Sequence, residues 1–235
     1  GQSSVSYSFI DPIEAYLSNN EVLFYILETI RKQKKKIQIY NSVSSECFGN
    51  QKNPVCSEKS NFNPVSPYGK SKALSYWLSK YYRENYRLNV SNGILFNHES
   101  ILRNKSFVTK KIINYYKMYE KDKKKNLYLG NINVVRDWGW ANDYVEAIYK
   151  INSSKKNDDF IVGTGKSYSL LDFIKIIFKK KKIPLSKIKV SKKYKRPFEI
   201  KKIIANNKKI KRKLNWKPKL NFEDMAFKLV NNDLI

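Results

Sequence analysis

The order strand, helix, strand in the first hundred residues limits the fold more than any other feature of this chain. Lys36-Ile37-Gln38-Ile39-Tyr40 alternates and runs into a Ser-rich turn, Asn41 to Glu46, as a strand does. Ser66 and Pro67 then open a helix through about Tyr86, with Ser66 as N-cap and Pro67 at N1. Val90 to Phe96 follows as a short, mostly apolar strand. Strands joined through a helix lie parallel in one sheet, and parallel strands are buried on both faces. A second helix, Pro12 to Gln33, carries Ile13, Tyr16, Leu17, Leu23, Ile26, Leu27 and Ile30 as a stripe. The expected class is α/β: a parallel sheet covered by helices.

Beyond Asn97 the pattern loosens. It predicts a helix near Phe107 to Tyr119, a strand Leu127 to Leu129, and a helix Asn142 to Ile151. A strand Asp159 to Val162, a helix Ser169 to Phe178 and a last helix Phe222 to Leu234 complete it. This half reads as a smaller α+β lobe made of residues 99–136 and 153–235, with residues 137–152 returning to the sheet of residues 1–98. The stretch Gly163-Thr164-Gly165-Lys166-Ser167 mimics a phosphate loop, but Phe160 stands where that motif needs its first glycine. A turn between strand and helix is the better reading.

Lys and Arg number 47 against 20 Asp and Glu, a net charge of +27. Only seven of the 47 are Arg, and the Lys are spread along a chain also crowded with Asn, Ile, Tyr and Phe. That points to AT-rich coding and a solvated surface rather than to a nucleic-acid reader, which favours Arg. Cys47, Cys56 and the single His98 are too scattered for a zinc site, so no metal is expected, and the thiols read as reduced. Without a long apolar span or a signal-like start, the expectation is a cytoplasmic protein with no membrane partner.

Tyr68 and Lys72 share one face near the start of the helix that Ser66 and Pro67 open, and an ammonium beside a phenol favours the phenolate. With 17 Tyr in the chain the pair alone is weak, since Tyr76 and Lys80 repeat it. Its context is specific: Ser44-Ser45-Glu46 after a strand, then Ser66-Pro67-Tyr68-Gly69-Lys70-Ser71-Lys72. Together with Asn92-Gly93-Ile94-Leu95-Phe96-Asn97-His98-Glu99-Ser100, Phe107-Val108-Thr109, Leu127-Tyr128-Leu129-Gly130-Asn131, Arg136-Asp137-Trp138-Gly139, Arg196-Pro197 and Leu214-Asn215-Trp216-Lys217-Pro218, the chain resembles the extended short-chain dehydrogenase/reductase superfamily. Within it the chain is most similar to the GDP-mannose 4,6-dehydratases.

The resemblance implies a partial Rossmann-like sheet with a lobe for a nucleotide sugar, GDP-mannose, and NADP as cofactor. It implies Tyr68, assisted by Lys72, as the base at O4, Ser44 as its hydrogen-bonding partner, and Glu46 as the base at C5. A 4-epimerase needs no such second base; a 4,6-dehydratase does. Lys72, His98 and Arg103 match cofactor contacts, and Asn97, Lys111, Arg136, Arg196 and Glu199 match contacts to the sugar nucleotide. Relatives are homo-oligomers paired through helices like the two described.

Departures accompany the matches. Ser44 replaces a Thr, and none of the eight glycines forms the family's Gly-x-x-Gly-x-x-Gly turn. The resemblance begins just after the family's fourth strand, so the expectation is a truncated sheet without the pyrophosphate cradle and an incomplete, weakly cofactor-binding form. Two other readings stay open at this point: another nucleotide-sugar dehydratase or epimerase of the superfamily, and a catalytically idle basic protein that binds nucleic acid.

Overall fold

The computed structural model describes residues 1–231. The chain begins with a single helical turn, α1 (Val5–Ser8), then α2 (Pro12–Lys32), β1 (Ile39–Ser44), β2 (Val55–Cys56), α3 (Pro67–Tyr86), β3 (Val90–Leu95) and β4 (Asn97–Glu99). Next come α4 (Val108–Met118), β5 (Leu127–Leu129), β6 (Val135–Arg136), β7 (Trp138–Trp140), α5 (Ala141–Ser153) and β8 (Asp159–Val162). Then follow β9 (Tyr168–Ser169), α6 (Leu170–Lys179), β10 (Ile188–Val190), β11 (Ile204–Ala205), α7 (Lys208–Leu214) and α8 (Phe222–Asn231). The end of the helix expected to reach Leu234 lies outside the described residues.

β1, β3 and β8 form a parallel sheet in the order β1-β3-β8, with Ile39 opposite Val90 and Asn92 opposite Asp159. Its side chains alternate between two cores. Val43, Ile94 and Ile161 pack with Ala73 and Tyr76 of α3, whereas Leu95, Phe160 and Val162 pack with Tyr144, Ala147 and Ile151 of α5. The helices thus cover both faces, as parallel strands require.

Two sequence expectations change here. The first strand runs from Ile39 to Ser44 instead of ending at Tyr40, because Asn41, a turn-former by composition, is buried and bonded in mid-strand. Its Nδ2 donates to Asn92 Oδ1 at 2.8 Å, Ser79 Oγ at 2.9 Å and the Ser75 carbonyl at 3.2 Å. β8, placed by sequence in the lobe of residues 153–235, is instead the third strand of the sheet; all four of its residues are buried. Its first residue is a pin. Asp159 accepts from both terminal nitrogens of Arg83 at 2.7 and 2.9 Å, from Tyr76 Oη at 2.8 Å and from Asn92 Nδ2 at 2.9 Å.

The largest core lies outside the sheet, where α4, α6 and α8 enclose Ile112, Leu129, Trp138, Phe173, Ile177 and Phe222. α6 starts as its sequence demands, with Ser169 and Asp172 capping each other reciprocally. Short strands tie this part to the rest: β4 pairs with β7, β6 with β9, and β11 with β2. Two-residue strands carry too little periodicity to be read from sequence.

Candidate active site

The carboxyl end of β1 and the amino end of α3 meet at the expected catalytic residues. Ser44 is the last residue of β1, and its Oγ accepts from Glu46 N at 3.2 Å, so it caps a single 3₁₀ turn, Ser45–Cys47, that carries Glu46. Across from it, Ser66 caps α3 by accepting from Gly69 N at 3.0 Å. Tyr68 N donates to the buried Ser8 Oγ at 3.1 Å, which brings α1 against the catalytic turn. Gly69 is what allows the approach: a Cβ there would lie 2.7 Å from the Glu46 carbonyl oxygen. Neither Ser8 nor the packing role of Gly69 was read from sequence, because each acts on a residue remote in the chain.

Burial pushes the Tyr68 phenol above its ordinary value, and its hydrogen bond with Ser44 opposes that. Lys72 Nζ donates to the Ser42 carbonyl at 3.1 Å and lies 6.0 Å from the centre of the Tyr68 ring. Burial lowers the ammonium's pKa. Lys72 is therefore anchored to the strand, with its ammonium over the Tyr68 ring. Cys47, buried in the same turn, has its thiol pushed up to about 12 by burial and stays protonated. It and Cys56 are both free.

His98 and Arg103 follow β3 on the same side. His98 Nδ1 donates to the Phe96 carbonyl at 2.9 Å, leaving Nε2 as acceptor, and burial lowers the ring's pKa. Its ring lies 4.9 Å from that of Tyr144, whose hydroxyl donates to the Asn97 carbonyl at 3.3 Å. Arg103 Nε stands 3.4 Å from Glu99 Oε2.

Arg136 and its neighbour Asp137 are both buried. Burial lowers the Arg136 pKa, Glu46 raises it, Arg196 lowers it and Glu199 raises it, so four expected site residues share one electrostatic neighbourhood. Asp137 turns the other way and accepts from Thr164 N and Oγ1 at 2.8 and 2.7 Å, Gly165 N at 2.8 Å and Ala205 N at 3.2 Å. The phosphate-loop mimic is thereby explained: its amide groups are filled by an internal carboxylate.

Lys111 lies on α4 with Nζ 3.4 Å from the centre of the Tyr194 ring. Arg196 Nε donates to Ser6 Oγ of α1 at 3.1 Å, and its Nη1 is 3.8 Å from Glu199 Oε1. Arg196 and Glu199 line an open cleft of about 480 Å³ together with Asn131, Ile132, Asn133, Val190, Lys195 and Pro197. Among the described residues no group of three His, Cys, Asp or Glu is placed to hold a metal ion, and no helix is long and apolar enough to cross a membrane.

The GDP-mannose 4,6 dehydratase family model matches residues 1–229. The chain belongs to the GDP-mannose 4,6-dehydratase family. It is 38% identical to GDP-mannose 4,6 dehydratase 1 of Arabidopsis thaliana over 89% of this chain and 59% of that one. To the GDP-mannose 4,6 dehydratase of Dictyostelium discoideum it is 35% identical, over 89% of this chain and 64% of the other. It therefore spans about three fifths of the length of these two family members. Against the Vibrio cholerae GDP-mannose 4,6-dehydratase it is 31% identical over 99% of its own length and 71% of the relative's. In fold the family member superposes on the dTDP-glucose 4,6-dehydratase DesIV of Streptomyces venezuelae, solved with NAD and TYD. The TM-score is 0.88 at 18% identity over 98% of this chain and 70% of that. RMD of Pseudomonas aeruginosa, solved with NADPH, gives a TM-score of 0.87 at 19% identity over 99% and 78%.

Proposed function

We propose that this protein converts GDP-mannose to GDP-4-keto-6-deoxy-mannose, with NADP as the returning hydride carrier. The observation that carries this reading is the junction of β1 and α3, where Ser44 caps the turn that carries Glu46 and hydrogen-bonds the Tyr68 phenol, and where Gly69, next to Tyr68, packs against the Glu46 carbonyl. Tyr68 takes the O4 proton, and Ser44 hydrogen-bonds the same oxygen as it becomes a ketone. Glu46 takes the C5 proton that the ketone acidifies and passes it to the hydroxyl leaving C6 as water; the O4 proton held by Tyr68 goes to C5 when C6 is reduced. The cofactor, when bound, supplies the hydride acceptor at C4 and the donor to C6. Lys72, His98 and Arg103 are the residues that would hold it. The neutral His98 ring with a free Nε2 and the Arg103 cation fit a nicotinamide and a phosphate.

Arg136 and Arg196 would take the diphosphate, with Asn97, Lys111 and Glu199 around the remaining sugar nucleotide. Two copies would pair through the exposed apolar residues Ile13 and Leu17 of α2 and Trp77 and Tyr81 of α3. The free buried thiols suit the cytoplasm.

The test is Glu46→Gln. Oxidation at C4 should proceed and C5 deprotonation should stall, so the absorbance of reduced cofactor accumulates when GDP-mannose is added. A variant whose absorbance and overall rate both match the parent makes Glu46 a turn residue and overturns the dehydratase assignment.

A further inference from the structure

Arg103 is held on two sides by residues that no part of the proposed chemistry uses. Glu99, in β4, is 2% exposed, and Thr109, in the first turn of α4, is also 2% exposed. Thr109 Oγ1 donates to Glu99 Oε2 at 2.8 Å, and Arg103 Nε approaches the same oxygen at 3.4 Å. The guanidinium carbon lies 3.7 Å from the centre of the Phe107 ring, the distance of a plane laid on a plane. The turn between these contacts is closed by Arg103 N donating to the Ser100 carbonyl at 3.1 Å and by Lys110 Nζ donating to the Ile101 carbonyl at 2.6 Å.

A carboxylate this deeply buried is costly unless its charge is used. Burial pushes the Glu99 carboxyl up, while Arg103 and Thr109 oppose the shift. Nε is the inner edge of the guanidinium fork. A carboxylate placed there, with an aromatic ring against the guanidinium carbon, limits the fork's direction and leaves both terminal amino groups for a two-oxygen contact. A long side chain ordered in advance also loses less freedom when a ligand arrives.

We infer that Glu99, seated on Thr109, is a positioning residue that aims the Arg103 guanidinium at an anionic phosphate of the dinucleotide. This rests on the reading of Arg103 as a cofactor contact, so its test separates the two. The probe is NADPH, its binding to the protein followed by energy transfer from tryptophan to the nicotinamide. A second readout needs no cofactor: the rate at which phenylglyoxal modifies Arg103, followed by peptide mass spectrometry. Glu99→Gln should weaken NADPH binding about tenfold, through the loss of the buried ion-pair contact at 3.4 Å that holds the guanidinium in place. In an Arg103→Met background it should weaken binding no further. Phenylglyoxal should modify Arg103 several-fold faster in Glu99→Gln. Thr109→Val should follow Glu99→Gln, and Thr109→Ser should behave as the parent.

If Glu99→Gln binds NADPH like the parent while Arg103→Met does not, the positioning role is overturned. The same holds if the two losses add. If Arg103→Met itself binds like the parent, or the parent binds no NADPH, the cofactor reading of Arg103 falls. The phenylglyoxal rate then decides the clamp alone, and an unchanged rate in Glu99→Gln ends it.

Discussion

The two halves of the candidate site are built in different ways. On the sheet side, Ser44, Glu46 and Tyr68 are placed by backbone: a strand end, a capped 3₁₀ turn and a capped helix start, locked by the contact at Gly69. On the lobe side, two of the expected cations are held by side-chain partners instead. Lys111 rests on Tyr194, and Arg196 reaches across to Ser6 of α1. Proton transfer tolerates little error in position, and the groups proposed to move protons stand on rigid elements. Charges that gather an anion act over longer distances and can re-pair.

Four substitutions probe the difference between the two sides. Tyr68→Phe should lower kcat by about 10³-fold, with the Kd for GDP-mannose within about twofold of the parent. A comparable loss of sugar binding would mean that the sheet side also binds, and the division fails.

Arg83→Met should cost about 3–5 kcal/mol in urea unfolding at neutral pH, because it leaves Asp159 buried and unpaired. Burial alone raises the Asp159 pKa, but Arg83, Asn92 and Tyr76 outweigh it and hold the carboxyl below the usual range. In the parent, this stabilisation is present above the ordinary carboxylate value of about 4 and is lost as pH falls through the lower folded value. With Arg83 gone the folded value rises, so the variant should gain stability relative to the parent as pH falls from 7 to 4. Parallel curves over that range would remove Asp159 as the framework's pin.

Gly69→Ala pushes a methyl group to within 2.7 Å of the Glu46 carbonyl and should cost about 1–3 kcal/mol. Because that contact sets Glu46 against Tyr68, kcat should fall while KM moves little; equal kcat in a folded variant would show that the turn has slack. The smallest effect belongs to the lobe. Ser6→Ala frees Arg196 from its partner in α1, and GDP-mannose should bind the same or up to about threefold more tightly. Weaker binding, by calorimetry, would make Ser6 part of the substrate's own contacts.

The sequence carried the site's chemistry further than its architecture. Ser66 and Pro67 announce the start of α3, and Tyr68 and Lys72 share its face, because capping and helical period are local rules. The α/β class follows from helices alternating with short buried strands for the same reason. Asn41 was misread as a turn because its three partners, Ser75, Ser79 and Asn92, are 34 to 51 residues away. The strand role of Asp159 to Val162 was likewise decided by β3 and not by anything adjacent in the chain.

Local rules thus settle which residues can act as base, acid or cation and which elements begin and end around them. Packing alone settles that Asp137 fills the phosphate-loop mimic, that Ser8 meets Tyr68, and that Glu99 stands at the Nε edge of Arg103. Each of these joins a polar group to a partner outside its own element. A buried donor or acceptor must be paired, but the pairing rule does not say with whom, and the packing of the helices on the sheet makes that choice.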